Sequence, residues 1–172
     1  MITNRRPAAE ESNLYFKTYI DKVNDEDIFQ ILSDQKQTTI DFLESIPVEK
    51  HDYAYVSGKW TLKEVLLHIM DTERVFAYRA LRIGRNDKTP LPGFEQDDYI
   101  AYTNSIKRSM RSIIDEYKSI RDCTLTLLSS YDDTNLDRIG KASGHAVSVR
   151  ALFFIVAGHE VHHIDVIKER YL

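Results

Sequence analysis

From Trp60 to Ile83 the chain reads WTLKEVLLHIMDTERVFAYRALRI, with no glycine or proline to interrupt it. The stretch opens on T-x-x-E, Thr61 with Glu64, the capping box that satisfies the first free N–H groups of a helix. A helix this long must lay its apolar stripe against other elements. The whole chain holds only 6 Gly and 4 Pro in 172 residues, and the stretches between them carry helical rather than alternating periodicity. An all-α domain is expected, without internal repeats or low-complexity tracts.

The first residues read as an arm, followed by a short helix from about Ala8 to Ile20. Asp25 or Asp27 can cap a second helix whose apolar positions Ile28, Ile31, Leu32, Ile40, Phe42 and Leu43 run up to Pro47. The third helix ends near Gly84, and the loop GRNDKTPLPGFEQDD leads to a fourth. That helix carries a stripe of Ile106, Met110, Ile113, Ile114, Tyr117, Ile120, Leu127 and Leu128. The stretch SYDDTNLDRIGKASGHAV is turn-like and can hold a short irregular hairpin. Ser148 then caps a last helix running to about Tyr171. These elements make an up-down four-helix bundle with a short extra N-terminal helix, expected as a single domain over residues 1–172.

Charge narrows the partners. Lys+Arg 23 against Asp+Glu 27 leaves a net charge of -4, without the basic footprint that phosphate backbones require. Nucleic acid is therefore not an expected partner. Cys123 is the only cysteine, so neither an intrachain disulfide nor a zinc site of cysteine pairs can form. No signal peptide and no membrane-spanning run is evident, and a soluble, cytoplasmic protein is expected.

Three of the six histidines crowd into AGHEVHHIDVIKERYL near the end. His159, Glu160 and His163 spell H-E-x-x-H, a zinc-protease signature, and Glu160 with His163 spells the E-x-x-H of di-iron bundles. Placed at about 100° per residue, Val149, Leu152, Ile155, Val156, Val166 and Ile167 share one face. His163 falls near its centre, His159 within about 45° of it, and His162 about 100° away at the edge. His159 and His163 thus point inward one turn apart, a spacing at which both imidazoles reach one tetrahedral ion. Buried histidines bonded to carbonyls or water remain the plainer alternative.

A metal needs a third ligand, to be found among His51, His68 and His145. His51 and His145 lie in loops, whereas His68 sits in the third helix at the margin of its apolar face. In a bundle that helix can supply it. A metzincin would need Gly and His where Val166 and Glu169 stand, and a di-iron site would need a second E-x-x-H that Glu64 and His68 do not spell. Both motif readings fall. Glu160, about 60° from the face centre, can approach the metal or its water as a base, or be a half-exposed helix carboxylate. Trp60 and the other aromatics at helical spacing are expected in the core.

Four pieces together, GKWTLKEVLLHIMDTERVFAYRALRI, LPGFEQDDYI, KSIRDCTLTLLSSY and AGHEVHHIDVIKERYL, resemble the DinB/YfiT-like superfamily, specifically its DinB_2 branch. They stand in the family's order from Trp60 onward. The resemblance implies one divalent metal held by His68, His159 and His163, and a homodimer. Three neutral imidazoles leave the ion its charge and an open position, the layout of a catalytic site. Two chemistries follow. A small thiol of the bacillithiol or mycothiol type can bind as thiolate and attack an electrophile, making the protein an S-transferase; or metal-bound hydroxide can make it a hydrolase. A non-catalytic, metal-stapled, stress-linked bundle is the third reading. Zinc is the expected ion, with nickel, iron and manganese also compatible with three histidines. The substrate is expected to be a small molecule. Arg79, near His68 in helical phase three turns on, can hold the anionic portion of a thiol cofactor, or simply pair with Glu73 or Asp97.

Overall fold

The computed structural model describes residues 5–24 and 27–172. Asp25, one of the two expected caps, and the first part of the N-terminal arm lie outside them. Four long helices form the body: α2 (Ile28–Ser45), α3 (Leu62–Gly84), α5 (Met110–Ser129) and α7 (Val149–Arg170). Around them lie α1 (Leu14–Ile20), α4 (Gln96–Ile100), α6 (Asp133–Leu136) and the hairpin of β1 (Ile139–Ala142) with β2 (His145–Ser148). The helix starts follow side-chain caps. Asp27 accepts from the N–H groups of Phe29 and Gln30, Thr61 from Glu64, Ser109 from Ser112 and Ser148 from Ala151.

Three local expectations change. The helix expected from Ala8 is a 3-10 turn at Ala9–Glu11, and α1 begins only after Asn13, whose side chain accepts from the Phe16 N–H. Asn competes for the backbone and so favours the cap over the helix interior. Ile106, expected on the fourth-helix stripe, is 81% exposed in a 3-10 turn, because Ser109 takes the cap and starts the helix at Met110. The loop after α3 contains α4. The expected hairpin is present and turns through Ser143 (φ 49°) and Gly144 (φ 82°), both left-handed, as a tight two-residue connection requires. Leu91 straps the long loop to it, donating to the Lys141 carbonyl and accepting from the Ser143 N–H.

The bundle wraps α7. Helices α2 and α3, consecutive in the chain, both pack against α5 and α7 rather than chiefly against each other, while α1 lies on α7. Residues 149–160 of α7 are consequently buried on every side. The apolar interior falls into two clusters. One is built around Leu32, Phe76, Leu128, Phe153 and Phe154, the other around Leu43, Leu62, Met70, Ile113 and Ile167. Between these levels along the helices sit buried polar side chains: Thr39 on α2, Glu73 on α3, Arg121 on α5 and Glu160 on α7. Among the described residues no helix is long and apolar enough to cross a membrane.

Candidate metal centre

α3 and α7 bring three of the histidines together. His159 Nε2 stands 3.1 Å from His68 Nε2 and 3.1 Å from His163 Nε2. His68 and His159 are buried and His163 is half-buried, with one ring nitrogen of each within 4.8 Å of the others. A neutral imidazole has one N–H and one lone pair, so His159 Nε2 cannot make a good hydrogen bond to two facing nitrogens at once. A tetrahedral ion with Zn–N bonds near 2.0–2.1 Å would separate its ligand nitrogens by about 3.3 Å, close to this spacing. Burial pushes His68 down to about 4 and His163 to about 3, and holds His159 well below its ordinary value, the neighbouring imidazoles acting in the same sense on all three. All three are therefore neutral at pH 7, the form in which imidazole binds a metal. The donor set fits a divalent ion.

The remaining histidines stay apart from this group. His51 Nε2 lies 3.1 Å from the Ile46 carbonyl, His145 is exposed on β2, and His162 is half-buried at the rim against the Tyr19 ring. The α7 phase thus separates His162 from its neighbours as expected, although His163, placed at the face centre by periodicity, is more open than His159. The open side is where the protein leaves access.

Close packing orients the cluster. A Cβ on Gly158 would fall 1.9 Å from the Tyr19 carbonyl oxygen, so only glycine lets α1 lie this close to α7. That approach sets the Tyr19 ring 5.3 Å from the His159 ring. The Trp60 ring lies 5.0 Å from that of His68 and also lines a cavity, where periodicity had put it in the core. Tyr117 and Phe153 are buried as expected.

Glu160 is not the half-exposed helix carboxylate of the plainer reading. It is 2% exposed, and both carboxylate oxygens are engaged. Oε1 accepts from Thr39 at 2.8 Å; Oε2 accepts from Tyr117 at 3.0 Å and from Arg121 Nη2 at 2.6 Å. Arg121, with no exposed surface, also donates to both oxygens of Glu73 at 2.9 Å and to the Leu32 carbonyl at 3.1 Å. One guanidinium faces two carboxylates. Burial therefore raises the Glu160 carboxyl against the opposing pull of Arg121, with the Glu73 charge adding to the rise. Arg121 itself is held well above its ordinary value by Glu160 and Glu73, which outweigh its desolvation. The Glu160 carboxylate is occupied by this network rather than presented to the histidines.

Arg79 pairs with neither Glu73 nor Asp97. Its Nη2 donates to the Pro92 carbonyl at 2.8 Å and to Ser143 Oγ at 2.9 Å, so it reaches from α3 to the strapped loop and the hairpin turn. Two cavities approach the histidines from different sides. One, of about 560 Å3, is lined by Trp60, Lys59, Tyr55, His162 and His163; the other, of about 240 Å3, by Arg79, Phe76, Phe94, Tyr19 and His159. Asp97 of α4 borders both, and its charge opposes the burial-driven fall of the His68 pKa. Helical periodicity could not find Asp97, Phe94 or Tyr19, because loops and the α1 arm deliver them. Glu73 and Arg121 did leave a signal, as charges in phase with buried apolar stripes.

No curated protein matches this sequence. Among solved structures, the chain is similar to YfiT from Bacillus subtilis, described as a probable metal-dependent hydrolase with an unusual four-helix bundle topology. The two share 17% identity over 98% of this chain and 92% of that one, with a TM-score of 0.69. It is also similar to the mycothiol-dependent maleylpyruvate isomerase, at 11% identity over 85% of this chain and 62% of that one, with a TM-score of 0.65. At these identities the likeness establishes the four-helix-bundle fold. Residues 31–167 match the DinB_2 family, and the chain belongs to the DinB superfamily.

Proposed function

We propose that the protein is a metal-dependent S-transferase that uses a small thiol, with His68, His159 and His163 as the ligands of one divalent ion, zinc by preference. The observation that carries this reading is the convergence of three neutral Nε2 atoms, two of the three contacts at 3.1 Å, between two cavities. When bound, the ion supplies a 2+ charge that lowers the pKa of a thiol at its open position. In the transfer the thiol loses its proton, a sulfur–carbon bond forms on the electrophile, and the leaving group departs with its electron pair. Two reactants need two places, which favours transfer. The protein residues divide the work. Trp60 and Tyr19 exclude water around the imidazoles, Lys59 and Arg79 offer positive charge to anionic portions of the reactants, and Asp97 borders both cavities as a proton acceptor. Glu160 acts through Arg121 and Tyr117, holding the α7 turn that carries His159, and is a positioning residue in this scheme.

Hydrolysis is the second reading, favoured by the similarity to YfiT over nearly the full length of both chains. We place the protein in the cytosol, where small thiols and Cys123 stay reduced, as a single domain over residues 1–172 that forms a homodimer. The test pairs the zinc-loaded protein with a panel of small thiols and an alkylating electrophile, and separately with ester and amide substrates. Thiol-dependent turnover that disappears in His163→Ala supports transfer. Ester or amide turnover without any thiol dependence overturns it in favour of hydrolysis.

A further inference from the structure

Arg79 is 2% exposed, yet no carboxylate among the described residues lies within ion-pair distance of it. Its hydrogen bonds go to a carbonyl and a hydroxyl, both neutral, and both use the same nitrogen, Nη2. The guanidinium carbon sits 5.0 Å from the Phe76 ring centroid and 5.8 Å from that of Phe94. Desolvation lowers its pKa, but a guanidinium remains charged at any pH the protein meets. A buried cation without a counter-charge is costly unless something supplies the anion. Arg121, with no exposed surface, has two carboxylates of its own. Arg79 instead faces a cavity of about 240 Å3.

The cavity has a direction. Arg79 and Ser143, joined by a 2.9 Å hydrogen bond, line it together with His159, Thr72 and the rings of Phe16, Tyr19, Phe76 and Phe94, and Arg79 stands about two helical turns along α3 from Thr72. Its volume falls below the roughly 300–1,000 Å3 of drug-sized sites. Glu95 and Asp97 on the rim are exposed and unpaired with Arg79, and they would repel a multiply charged anion. A flat apolar body with one negative end fits these walls.

We propose that this cavity is the acceptor subsite and that it takes a small monocarboxylic acid, its carboxylate paired with Arg79, its apolar body between the aromatic rings, and the electrophilic carbon that bears its leaving group at the end remote from the carboxylate, towards His159. The assignment rests on the transfer reading for its purpose, leaving the larger cavity beside Lys59 and Trp60 to the thiol. It takes Arg79 away from the thiol and gives it to the second reactant.

The probe is 3-phenylpropanoate, with the neutral 3-phenylpropanamide as its isostere, each titrated calorimetrically into the purified protein. The acid is expected to bind saturably with one site per chain, and the amide at least tenfold more weakly. Arg79→Met should weaken the acid at least tenfold. Because loss of a buried arginine can disturb folding, Ser143→Asp provides an independent variant: position 143 has φ 49°, which Asp tolerates, and its carboxylate would reach the Nη2 that Ser143 Oγ now meets at 2.9 Å. That variant keeps the cation, occupies it internally, and should also lose at least tenfold in affinity while melting no lower than wild type. His68→Ala should retain the acid within threefold, so failure of the metal reading leaves this result standing. No saturable binding of the acid by wild type, equal binding of acid and amide, or full binding by either Arg79→Met or Ser143→Asp overturns the proposal. Binding lost in His68→Ala but kept in Arg79→Met overturns it as well, because the acid would then sit on the ion.

Discussion

Replacing Arg121 with Met removes the guanidinium that faces two buried carboxylates. Glu73 and Glu160 are each 2% exposed, and the substitution strips two hydrogen bonds from Glu73 and the 2.6 Å bond from Glu160. Methionine fills much of the volume, so the loss is electrostatic rather than a cavity. Breaking a buried pair by removing one partner costs about 3–5 kcal/mol. For a domain of this size that corresponds to a fall in Tm of roughly 6–20 °C. The penalty must also depend on pH. Without the cation, desolvation and the neighbouring Glu73 charge lift the folded-state Glu160 carboxyl further above the unfolded value of about 4.3, so the folded chain binds more protons there than the unfolded one. The deficit relative to wild type is then small near pH 4 and grows as pH rises through the raised folded value. Urea unfolding of both proteins at pH 5 and pH 8 measures it. A deficit below about 1 kcal/mol at pH 8, or one equal at the two pH values, refutes the assignment of Arg121 as the neutraliser of a buried pair.

Gly158→Ala would place a Cβ 1.9 Å from the Tyr19 carbonyl oxygen. Overpacking of this kind costs about 1–3 kcal/mol or more, and α1 must move off His159, so both chemical stability and metal affinity should fall; an unchanged denaturation midpoint contradicts the close approach. In chelator-treated protein the histidines of the cluster stay neutral down to about 4 for His68 and about 3 for His163. The unfolded chain protonates its histidines near about 6.5, so stability should be full above that pH and decline as pH falls toward the folded values. His68→Ala should flatten part of that decline in a pH series of thermal melts; a decline of unchanged steepness would show that His68 is not held neutral by burial. Glu160→Gln keeps the shape of the network and leaves Arg121 paired with Glu73, so it should cost less stability than Arg121→Met, which paired denaturation curves decide.

Helix positions and the His159–His163 register were legible in the sequence because caps and the i, i+4 spacing are local. The pairing of α7 with α3 was not local. His68 lies at the margin of its stripe, so periodicity alone does not single it out; its place on a bundle helix, and then the resemblance, selected it over the loop histidines. Periodicity also assumed that α7 has one buried face. The α1 arm, laid on Gly158, covers the opposite side, and an amphipathic pattern cannot encode a cover supplied from elsewhere in the chain. The burial of Glu160 was missed for the same reason: its angle from the face centre was about right, but Arg121 and Tyr117 fill the direction assumed to be open. Arg79 was noticed for its phase with His68, while its surroundings depended on the Leu91 strap and the Ser143 turn, which bring the loop and the hairpin to it.

The chemistry of the site depends on His68, His159 and His163 together holding one metal ion. Metal content per chain, measured by mass spectrometry on wild type and on single alanine variants equilibrated with limiting zinc, tests it most directly. One ion per chain is expected in wild type and in His162→Ala, with near-complete loss in His68→Ala, His159→Ala and His163→Ala. Stoichiometric metal retained in His68→Ala, or a wild-type protein that takes up none, would contradict it.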